Sequence, residues 1–546
     1  MTPSPSEARA AIARAREDVA AGWYDPHLDA LLGLHGRAAV RADVRAFAAA
    51  CAGRLDALAA EANLGPNLPQ LRRWDAVGNR IEQVVLHPAT TALGDAAWGA
   101  GILADWAARQ DLDALAKVHL LAQCGEAGQC CPIACTAGLV RILQGTDAAV
   151  PEDWVSGLAA RGADRLWASQ FLTEIQGGSD VGANVLVARA HPDGGAALSG
   201  EKWFCSVIDA PLFLVTARPE GARAGTAGLG AYVVPRTRGG VPNGFAIRRL
   251  KDKLGTRSMA SAEVDFDGAV AVRVGDFKDV VETVLNTSRV FNAVCCAGFM
   301  ARAEREARAY ARHRVAFGQP IARFPAVARL LARARTEAFA ARSLSLRLAA
   351  WTPAGAVEQA AWRMLVNLGK SWTAAVAPSV IHDAIDVFGG NGAIEDFSVL
   401  PRLLRDSIVT EAWEGGHGVL SSQVLRDARR GLLDPLFDTL AAWAGPSAEA
   451  PACAAGLHDR LAECRARWAR VVATPADASG EPYARDLVEE LRPVAMAAGL
   501  LADLRAGVEV PALPEAIAHL LITTTRGWDP LADAGLAARV RVLVDA

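Results

Sequence analysis

Apolar residues recur at helical spacing through roughly the first 155 positions, with Arg and Glu between runs of Ala and Leu. This spacing predicts helices over residues 7–20, 41–60 and 112–121. A loop containing Gly65, Pro66 and Pro69 separates them. Another helix is predicted to begin at Cys131-Pro132, because proline is tolerated in a first helical turn.

Near residue 160 the pattern changes to short β-prone runs separated by Gly, Pro and Asp. Several short strands at close spacing predict a small β-barrel or sandwich rather than a parallel α/β sheet. No Gly-x-Gly-x-x-Gly sequence follows a strand and opens a helix, so the Rossmann dinucleotide fingerprint is missing. The predicted strands are 184–190, 202–205, 212–217, 231–235, 245–250 and 262–266.

From about residue 279 helical spacing returns in longer segments, which are long enough for a four-helix bundle. The fold class expected is therefore mainly α with a central small β domain. Residues 440–546 are predicted to be a separate helical tail. The bundle helices are predicted at 281–313, 326–351, 356–387 and 397–406. The expected domains are 1–160, 161–275, 276–435 and 436–546.

Composition and charge narrow the class of protein. A chain of 546 residues with 52% hydrophobic and 21% charged residues is a foldable globular chain with more than one core. The net charge of −3 gives no general reason to expect a nucleic acid or an acidic membrane as partner. The N-terminus lacks the apolar region of a secretory signal, and no uncharged apolar run is long enough to span a membrane. A cytoplasmic protein is therefore expected.

The ten cysteines are then expected to be reduced thiols. Four of them cluster without the paired C-x-x-C spacing of a zinc site, so buried small apolar residues are predicted and no metal site. The cluster consists of Cys124, Cys130, Cys131 and Cys135.

Residues 173–181 (TEIQGGSDV) place two hydroxyls, two adjacent glycines and two carboxylates in nine positions of the β-rich region. The glycine pair allows a tight turn or a close approach to a flat ligand. Hydroxyl and backbone N–H groups can bind the polar edge of such a ligand. A plain polar β-turn is the alternative that the residues alone leave open.

Five motifs in the same order resemble those of the acyl-CoA dehydrogenase flavoproteins. Residues 173–181 resemble the T-E-x-x-G-(G/A)-S-D-V flavin loop, and 200–206 (GEKWFCS) resemble the strand that follows it. The remaining three are 314–318 (RVAFG), 388–392 (FGGNG) and 413–415 (WEG). The extra tail, the segment 248–258 and Cys-Pro-Ile at 131–133 are similar to the AidB-like branch.

The resemblance implies α,β-desaturation of an acyl-CoA thioester, with FAD as hydride acceptor. Glu414 would be the base that removes the proton alpha to the thioester, and its backbone N–H would bind the thioester oxygen. Burial beside Trp413 would raise the pKa of this base toward that of the activated C–H. Without the resemblance, Glu414 would be interpreted as a carboxylate favoured by a helix N-terminus. Glu174 is not expected to be the base.

The resemblance also assigns residues to the cofactor. Thr173 and Leu172 would bind the pyrimidine edge of the flavin, Phe204 would pack on its ring, and Ser206 would hydrogen-bond near N5. Arg314 would pair with the FAD pyrophosphate, with a solvated helix face as the alternative. The further cofactor residues expected are Gly178, Ser179, Phe317, Gly389, Gly390, Gly392, Gly416 and Gly418.

Arg289 and Gly415 are the residues expected at the substrate, although a helix-end salt bridge is an alternative for Arg289. In the family the glycine loop reaches the FAD of a neighbouring subunit, so a homodimer or homotetramer is implied. An electron-transfer flavoprotein is a possible electron acceptor. The residues after Trp-Glu-Gly depart from the family pattern, since His417 stands between two glycines where hydroxyl or amide side chains are usual.

Two other functions stay open at this point. One is an AidB-like protein whose tail binds DNA, but residues 440–546 hold ten Arg, no Lys and fourteen Asp or Glu, a balance of −4. Nucleic-acid binding is therefore not expected. The other is a flavin oxidase or monooxygenase that acts on a substrate other than a CoA thioester.

Overall fold

A computed structural model describes residues 4–36, 38–192, 194–474 and 480–546. Its contacts divide the chain into two compact units. One contains residues 1–53, 115–125 and 292–546, and the other contains residues 54–114 and 126–291. The mainly helical fold with a central β domain that the sequence predicts is confirmed.

The helices before the β domain are α1 (Pro5–Ala21), α2 (Pro26–His35), α3 (Ala38–Ala50), α4 (Asp56–Ala62), α5 (Pro88–Gly99), α6 (Ile102–Ala107), α7 (Asp111–Ala122), α8 (Ala127–Gly145) and α9 (Glu152–Ala159). A hairpin of β1 (Gln70–Trp74) and β2 (Arg80–Val85) lies between α4 and α5. The sequence did not predict this hairpin.

The β domain contains β3 (Ala168–Phe171), β4 (Val187–Ala190), β5 (Ala196–Ser206), β6 (Leu212–Pro219), β7 (Gly230–Pro235), β8 (Thr237–Arg238), β9 (Val241–Pro242), β10 (Phe245–Leu250) and β11 (Ser261–Asp276). Strand β11 pairs with both β5 and β7, and β4 and β6 complete the ring of paired strands β11-β5-β4-β6-β7. The predicted small barrel is thus the arrangement observed, and closure leaves these five strands without a free edge on either side.

After the short α10 (Phe277–Asp279), the bundle is formed by α11 (Asn286–His313), α12 (Pro325–Ala350), α13 (Gly355–Phe388), α14 (Leu400–Ala412) and α15 (His417–Asp427), with the two-residue strands β12 (Val315–Ala316) and β13 (Gln319–Pro320) after α11. The tail contains α16 (Leu433–Ala444), α17 (Leu457–Ala473), α18 (Gly480–Arg505), α19 (Leu513–Thr523) and α20 (Leu536–Asp545). Small side chains let the central helices approach closely. This core contains Cys296, Ala297, Met300, Ala334, Ala338, Ala341, Ala374, Val376, Ala377 and Val380.

One expectation about helices was wrong, and it concerns the helix that contains Pro132. The helix containing Pro132 begins at Ala127, so the proline lies in the interior of α8. Proline has no backbone N–H, so the helix loses one backbone hydrogen bond there. Most residues of α8 are buried, and their packing stabilises the helix despite this loss. The tail is helical as predicted, and it packs on α12 and α13. The Trp372 indole N–H donates to the Val488 carbonyl at 2.8 Å, and Arg492 pairs with Glu337 at 2.8 Å.

The four clustered cysteines are buried, as predicted. Cys131 and Cys135 lie one helical turn apart with their sulfur atoms at 4.0 Å. Among the described residues, no helix is long and apolar enough to cross a membrane.

A buried polar cluster joins α2, α7 and α12. The Arg342 guanidinium donates to Asp25 at 2.8 Å and to Nε2 of His119 at 3.2 Å, and it lies 3.4 Å from Nδ1 of His27. Burial, and then the nearby Arg342 charge, lowers the pKa of His27 from 6.5 to about 3. The same causes place the pKa of His119 well below its usual value. Both imidazoles are therefore neutral in the folded protein.

Acid should therefore destabilise the helical unit earlier than ordinary carboxylate titration would. Below pH 6.5 His27 is protonated in the unfolded chain but not in the folded chain. The free energy of unfolding therefore decreases as the pH is lowered from 6.5 to about 3. At pH 5 the loss from His27 alone is about 2 kcal/mol, at about 1.4 kcal/mol per pH unit. Urea unfolding of the wild type and of His27→Phe from pH 7 to pH 4.5 measures it. The Phe variant, whose ring can pack against Phe339 as His27 does, should show a shallower slope. Equal slopes would contradict the assignment.

Candidate functional site

The loop after β3 is folded around a buried ion pair. Nζ of Lys202 lies 3.0 Å from Oε1 of Glu174, and both side chains are at most 1% exposed. The Glu174 carboxylate also accepts the backbone N–H groups of Val185 at 2.7 Å and Leu186 at 3.1 Å. Burial lowers the pKa of Lys202, and Glu174 opposes this shift. The carboxylate of Glu174 is thus occupied by hydrogen bonds and an ion pair inside the loop.

The glycines of this loop have different tasks. Gly177 has φ of +132° and closes a turn in which its N–H donates to the Glu174 carbonyl at 3.0 Å. A Cβ at Gly178 would lie only 2.7 Å from Oγ1 of Thr173. The polar β-turn is therefore present, and its second glycine leaves room for the Thr173 hydroxyl.

Thr173 and the end of β5 are neighbours, as a shared flavin site requires. The Thr173 carbonyl accepts the Trp203 N–H at 3.0 Å. Next to it, the Phe204 side chain is 56% exposed, so its ring is not part of the barrel core. An exposed aromatic ring beside hydroxyl groups offers a flat apolar surface with a polar edge.

Ser206 has partners that the sequence did not predict. Its Oγ lies 3.0 Å from Oγ of Ser261, the residue opposite it on β11. Nζ of Lys253 donates to the same Ser261 Oγ at 3.0 Å. Nζ of Lys251 lies 3.7 Å from the centre of the Trp203 ring. The Arg-Arg-Leu-Lys-Asp-Lys segment, noted only as a branch resemblance, therefore supplies two cations around the end of β5.

Glu414 lies in a turn between the end of α14 and the start of α15. Its φ is +54°, a left-handed conformation that is uncommon for a residue other than glycine, and Gly415 follows with φ of +105°. Such strain concentrates at functional sites, where surrounding contacts impose it. The fully buried Lys370 on α13 supplies two of these contacts, since its Nζ donates to the carbonyls of Glu411 at 2.8 Å and Gly415 at 2.9 Å.

The contacts of His417 lie on the helices beside this turn. Its Nε2 is 2.9 Å from Oε2 of Glu411, and its Nδ1 is 3.3 Å from Oγ of Ser371. The ring therefore ties the first residue of α15 to α14 and α13. Gly416 and Gly418 flank it, and a Cβ at either position would meet no atom within 4 Å.

A third group of predicted residues meets at Tyr310, near the end of α11. The Arg314 N–H donates to the Tyr310 carbonyl at 2.8 Å, and Nδ2 of Asn391 donates to the Tyr310 hydroxyl at 3.3 Å. The Tyr310 ring stacks on Phe388 at 4.1 Å, directly before the glycine loop. Tyr310 thus brings Arg314 and the loop together, a contact between distant segments that no local sequence pattern signals.

The exposure of these residues suits binding to another molecule. The Arg314 side chain is exposed, and a Cβ at Gly389 or Gly390 would meet nothing within 4 Å. Gly392 has a packing role instead, because a Cβ there would lie 2.7 Å from the Ile385 carbonyl. Arg302 and Arg305 of α11, which precede Arg314 in the sequence, are at most 5% exposed, so they do not share its exposure.

Arg289 and Phe317 differ most in exposure. Arg289 on α11 is only 3% exposed, while the Phe317 ring is 97% exposed at the tip of the β12–β13 hairpin. Ser179 and Leu172 complete the loop after β3, with Ser179 exposed and the Leu172 carbonyl accepting from Lys202 at 3.1 Å.

These residues fit a dinucleotide flavin. In one unit the Thr173 and Ser206 hydroxyls and the exposed Phe204 ring match a flat heterocycle with a polar rim. In the other, the exposed Arg314 and the open backbone of Gly389 and Gly390 match a phosphate-containing group. The donor chemistry therefore agrees with FAD in each unit taken by itself.

Sequence models of three domain families match in the order of the chain. "Adaptive response protein AidB N-terminal domain" matches residues 13–165, "Acyl-CoA dehydrogenase, middle domain" matches 169–269, and "Acyl-CoA dehydrogenase, C-terminal domain" matches 277–428. The putative acyl-CoA dehydrogenase AidB of Escherichia coli is 32% identical over 390 residues, which cover 67% of this chain and 70% of that protein. The chain belongs to the acyl-CoA dehydrogenase family.

Other comparisons agree with this membership. Acyl-CoA dehydrogenase family member 11 of Caenorhabditis elegans is 32% identical over 413 residues, 71% of this chain and 66% of that protein. The alignments thus span about two thirds of the length of these relatives. The crystal structure of Caenorhabditis elegans ACDH-11 in complex with C11-CoA has a TM-score of 0.80 and 27% identity, and the match covers 91% of this chain and 90% of that one. As a family member, this chain is an FAD-dependent oxidoreductase.

Proposed function

We propose that this acyl-CoA dehydrogenase desaturates an acyl-CoA thioester between its α and β carbons, with Glu414 as the base. The observation that carries the proposal is the strained left-handed backbone of Glu414 in a turn held from α13 by Lys370. The resemblance of Trp413-Glu414-Gly415 to the family's catalytic turn supports the same role.

The residues of the chain have separate tasks in this proposal. The Glu414 carboxylate removes the α proton, and its backbone N–H donates to the thioester oxygen, where charge develops. Bound FAD supplies the acceptor for the hydride that leaves the β carbon. Thr173 and Ser206 orient the flavin through hydroxyl groups, and Arg314 pairs with the pyrophosphate. The substrate thus loses a proton from its α carbon and a hydride from its β carbon, which together are two hydrogens and two electrons. The electron pair left by the proton forms the α,β double bond.

A substrate panel tests this function directly. The purified holoenzyme is titrated anaerobically with straight-chain and branched acyl-CoAs, including the C11 chain bound by the nematode relative, while flavin absorbance is recorded. At least one thioester should bleach the oxidised flavin stoichiometrically. If none does, the desaturation proposal fails, and a flavin oxidase or monooxygenase becomes the next function to test.

We do not extend the proposal to nucleic acid. In the sequence of the tail, arginines cluster at Arg460, Arg465, Arg467 and Arg470, and two of them have acidic partners within the protein. Arg465 pairs with Asp434 at 2.7 Å and Arg467 pairs with Glu490 at 3.0 Å. These contacts leave less positive charge for phosphates than the sequence cluster indicated. A cytoplasmic location and an electron-transfer flavoprotein as acceptor remain part of the proposal.

Phe317 supports a homo-oligomer, either a dimer or a tetramer. A phenylalanine 97% exposed on a hairpin with φ of +51° leaves a large apolar ring in water. The resemblance assigns Phe317 to the cofactor, and in the family the glycine loop reaches the FAD of a neighbouring subunit. We therefore infer that a second copy of this chain covers the ring.

Replacing Phe317 by Ser should weaken that assembly. Burial of the ring contributes about 1.5–3 kcal/mol, so we expect the dissociation constant of the oligomer to rise about tenfold to a hundredfold. Light scattering after size exclusion over a dilution series measures this change, and FAD content is recorded alongside. Val357→Ser, at a valine 69% exposed on α13, is the matched control and should change neither. A monomeric wild type would contradict the inference.

A further inference from the structure

One side chain holds both ends of the turn that carries the proposed base. Lys370 lies near the middle of α13 and is fully buried. Its Nζ donates to the Glu411 carbonyl, in the last turn of α14, and to the Gly415 carbonyl, which follows the base. Distances of 2.8 and 2.9 Å are those of good hydrogen bonds. The backbone between these two carbonyls contains the whole of Glu414.

The conformation of this backbone needs such support. A φ of +54° at a residue with a long side chain costs free energy, and it persists only where neighbouring contacts determine the local structure. The two hydrogen bonds from Lys370 supply such contacts, and both come from one buried side chain on α13. They fix the direction of the Glu414 side chain and of its N–H at the same time, because both belong to the bracketed segment.

The charge of Lys370 suits this position as well. The carbonyl end of α14 carries partial negative charge, which stabilises a cation at the helix terminus. A cation beside the turn in turn favours the ionised form of a nearby carboxylate. Beside the turn, Glu411 on α14 and His417 on α15 pair with each other at 2.9 Å. The adjoining helices carry further charged or titratable groups: Arg402, Arg405 and Asp406 on α14, Arg426 and Asp427 on α15, and the buried Cys296 on α11, whose thiol interacts with both Lys370 and Glu411. Lys370 is thus a cation of α13 whose ammonium group contacts the backbone of this turn.

Helix α13 is itself fixed on another side. Trp372, two residues after Lys370, is fully buried, and its indole N–H donates to the Val488 carbonyl of α18. The C-terminal helices thus pack against the helix that carries the lysine. Through this contact the C-terminal tail helps to fix α13, and with it the position of Lys370 beside the Glu414 turn.

We propose that Lys370 is a positioning residue for Glu414, which holds the catalytic turn in its strained conformation through the Glu411 and Gly415 carbonyls. This proposal rests on the proposed function, since it assumes Glu414 is the base. The role of Lys370 in this proposal is carried by its bonds to the backbone carbonyls of Glu411 and Gly415.

Four proteins test it: the wild type, Lys370→Met, Lys370→Gln and Ser371→Ala. Met has nearly the length of Lys but neither donors nor charge, and Gln keeps an N–H donor without the charge. Ser371→Ala leaves both lysine bonds in place and removes only the contact to His417. The rate of flavin reduction by the best acyl-CoA is measured anaerobically from pH 5.5 to pH 9, over a range of substrate concentrations. Hydrogen exchange of residues 412–416 is measured without substrate.

The Met variant should reduce its flavin about tenfold more slowly with the half-saturating substrate concentration unchanged, because positioning affects the transition state more than binding. The Gln variant should recover part of this rate. In both variants the acid limb of the rate profile should move up by about one pH unit. Exchange at 412–416 should rise in both and stay unchanged in Ser371→Ala.

The proposal would be overturned if Lys370→Met showed the reduction rate, pH profile and hydrogen exchange of the wild type. It would also be overturned if Ser371→Ala lost as much of the reduction rate as Lys370→Met. If Lys370→Met does not fold, Lys370→Gln gives the same readouts. If no thioester reduces the wild type, the proposed function fails, and hydrogen exchange alone then decides whether Lys370 holds the turn.

Discussion

Glu414→Gln should abolish reduction of the flavin by acyl-CoA while FAD stays bound. Gln has nearly the same shape as Glu, so the turn and its N–H are kept, but an amide cannot take a proton from the α carbon. A positioned general base contributes about a hundredfold to ten-thousandfold, so we expect a loss of about that size in the reduction rate. Anaerobic stopped-flow absorbance with the best thioester measures it.

The matched control is Glu411→Gln, which changes a carboxylate of the same type three residues away. Glu411 pairs with His417, so its replacement removes a structural contact and no proposed base. We expect it to keep most of the wild-type rate. Fast reduction in Glu414→Gln would place the base on another residue, and an equal loss in both variants would show that the turn had been disturbed.

The sequence predicted best where an element is long or has a regular pattern. Residues 326–351 and 356–387 were predicted as helices, and the observed α12 and α13 begin and end within one residue of these limits. The prediction for β10 matches Phe245–Leu250 at both ends. In these segments local spacing and tertiary packing favour the same structure, so local information is sufficient.

The β1–β2 hairpin shows where local information fails. Its two strands contain several Arg and Gln residues, and most of their side chains are at least partly exposed. The strands therefore lack the alternation of apolar and polar residues that would predict them from the sequence. What holds the hairpin is a long-range contact, since the fully buried Glu82 carboxylate accepts the Ile247 N–H of β10 at 3.0 Å. A contact across 165 positions leaves no signal in the spacing of nearby residues.

The candidate site divides in the same way. Motifs with fixed spacing indicated Thr173, Phe204 and Glu414, because in each the residue types needed for the chemistry are adjacent in sequence. Lys370 was missed because its partners lie about 40 positions away. One signal was present: a chain with only six lysines places one of them in the apolar interior of α13. A buried ammonium is costly, so such a residue must have partners that justify it.

The Glu174–Lys202 pair should contribute to stability in a strongly non-additive way. Removing one partner leaves the other buried and charged, so Lys202→Met or Glu174→Gln alone should each cost about 3–5 kcal/mol. The double variant leaves no unpaired charge and should recover part of that loss. A double-mutant cycle by urea unfolding measures the coupling, with FAD affinity recorded because the pair shapes the loop that holds Thr173.

A surface pair on the same barrel gives the control. Arg189 and Glu220 lie 3.0 Å apart, as close as the buried pair, but their side chains are 53% and 65% exposed. Water screens them, so Arg189→Met should cost less than about 1 kcal/mol. FAD affinity should fall in both buried single variants and stay unchanged in the surface variant. Equal costs for the two pairs would show that burial does not set the strength of the Glu174–Lys202 contact. Unchanged FAD binding in Lys202→Met would separate the ion pair from the flavin loop.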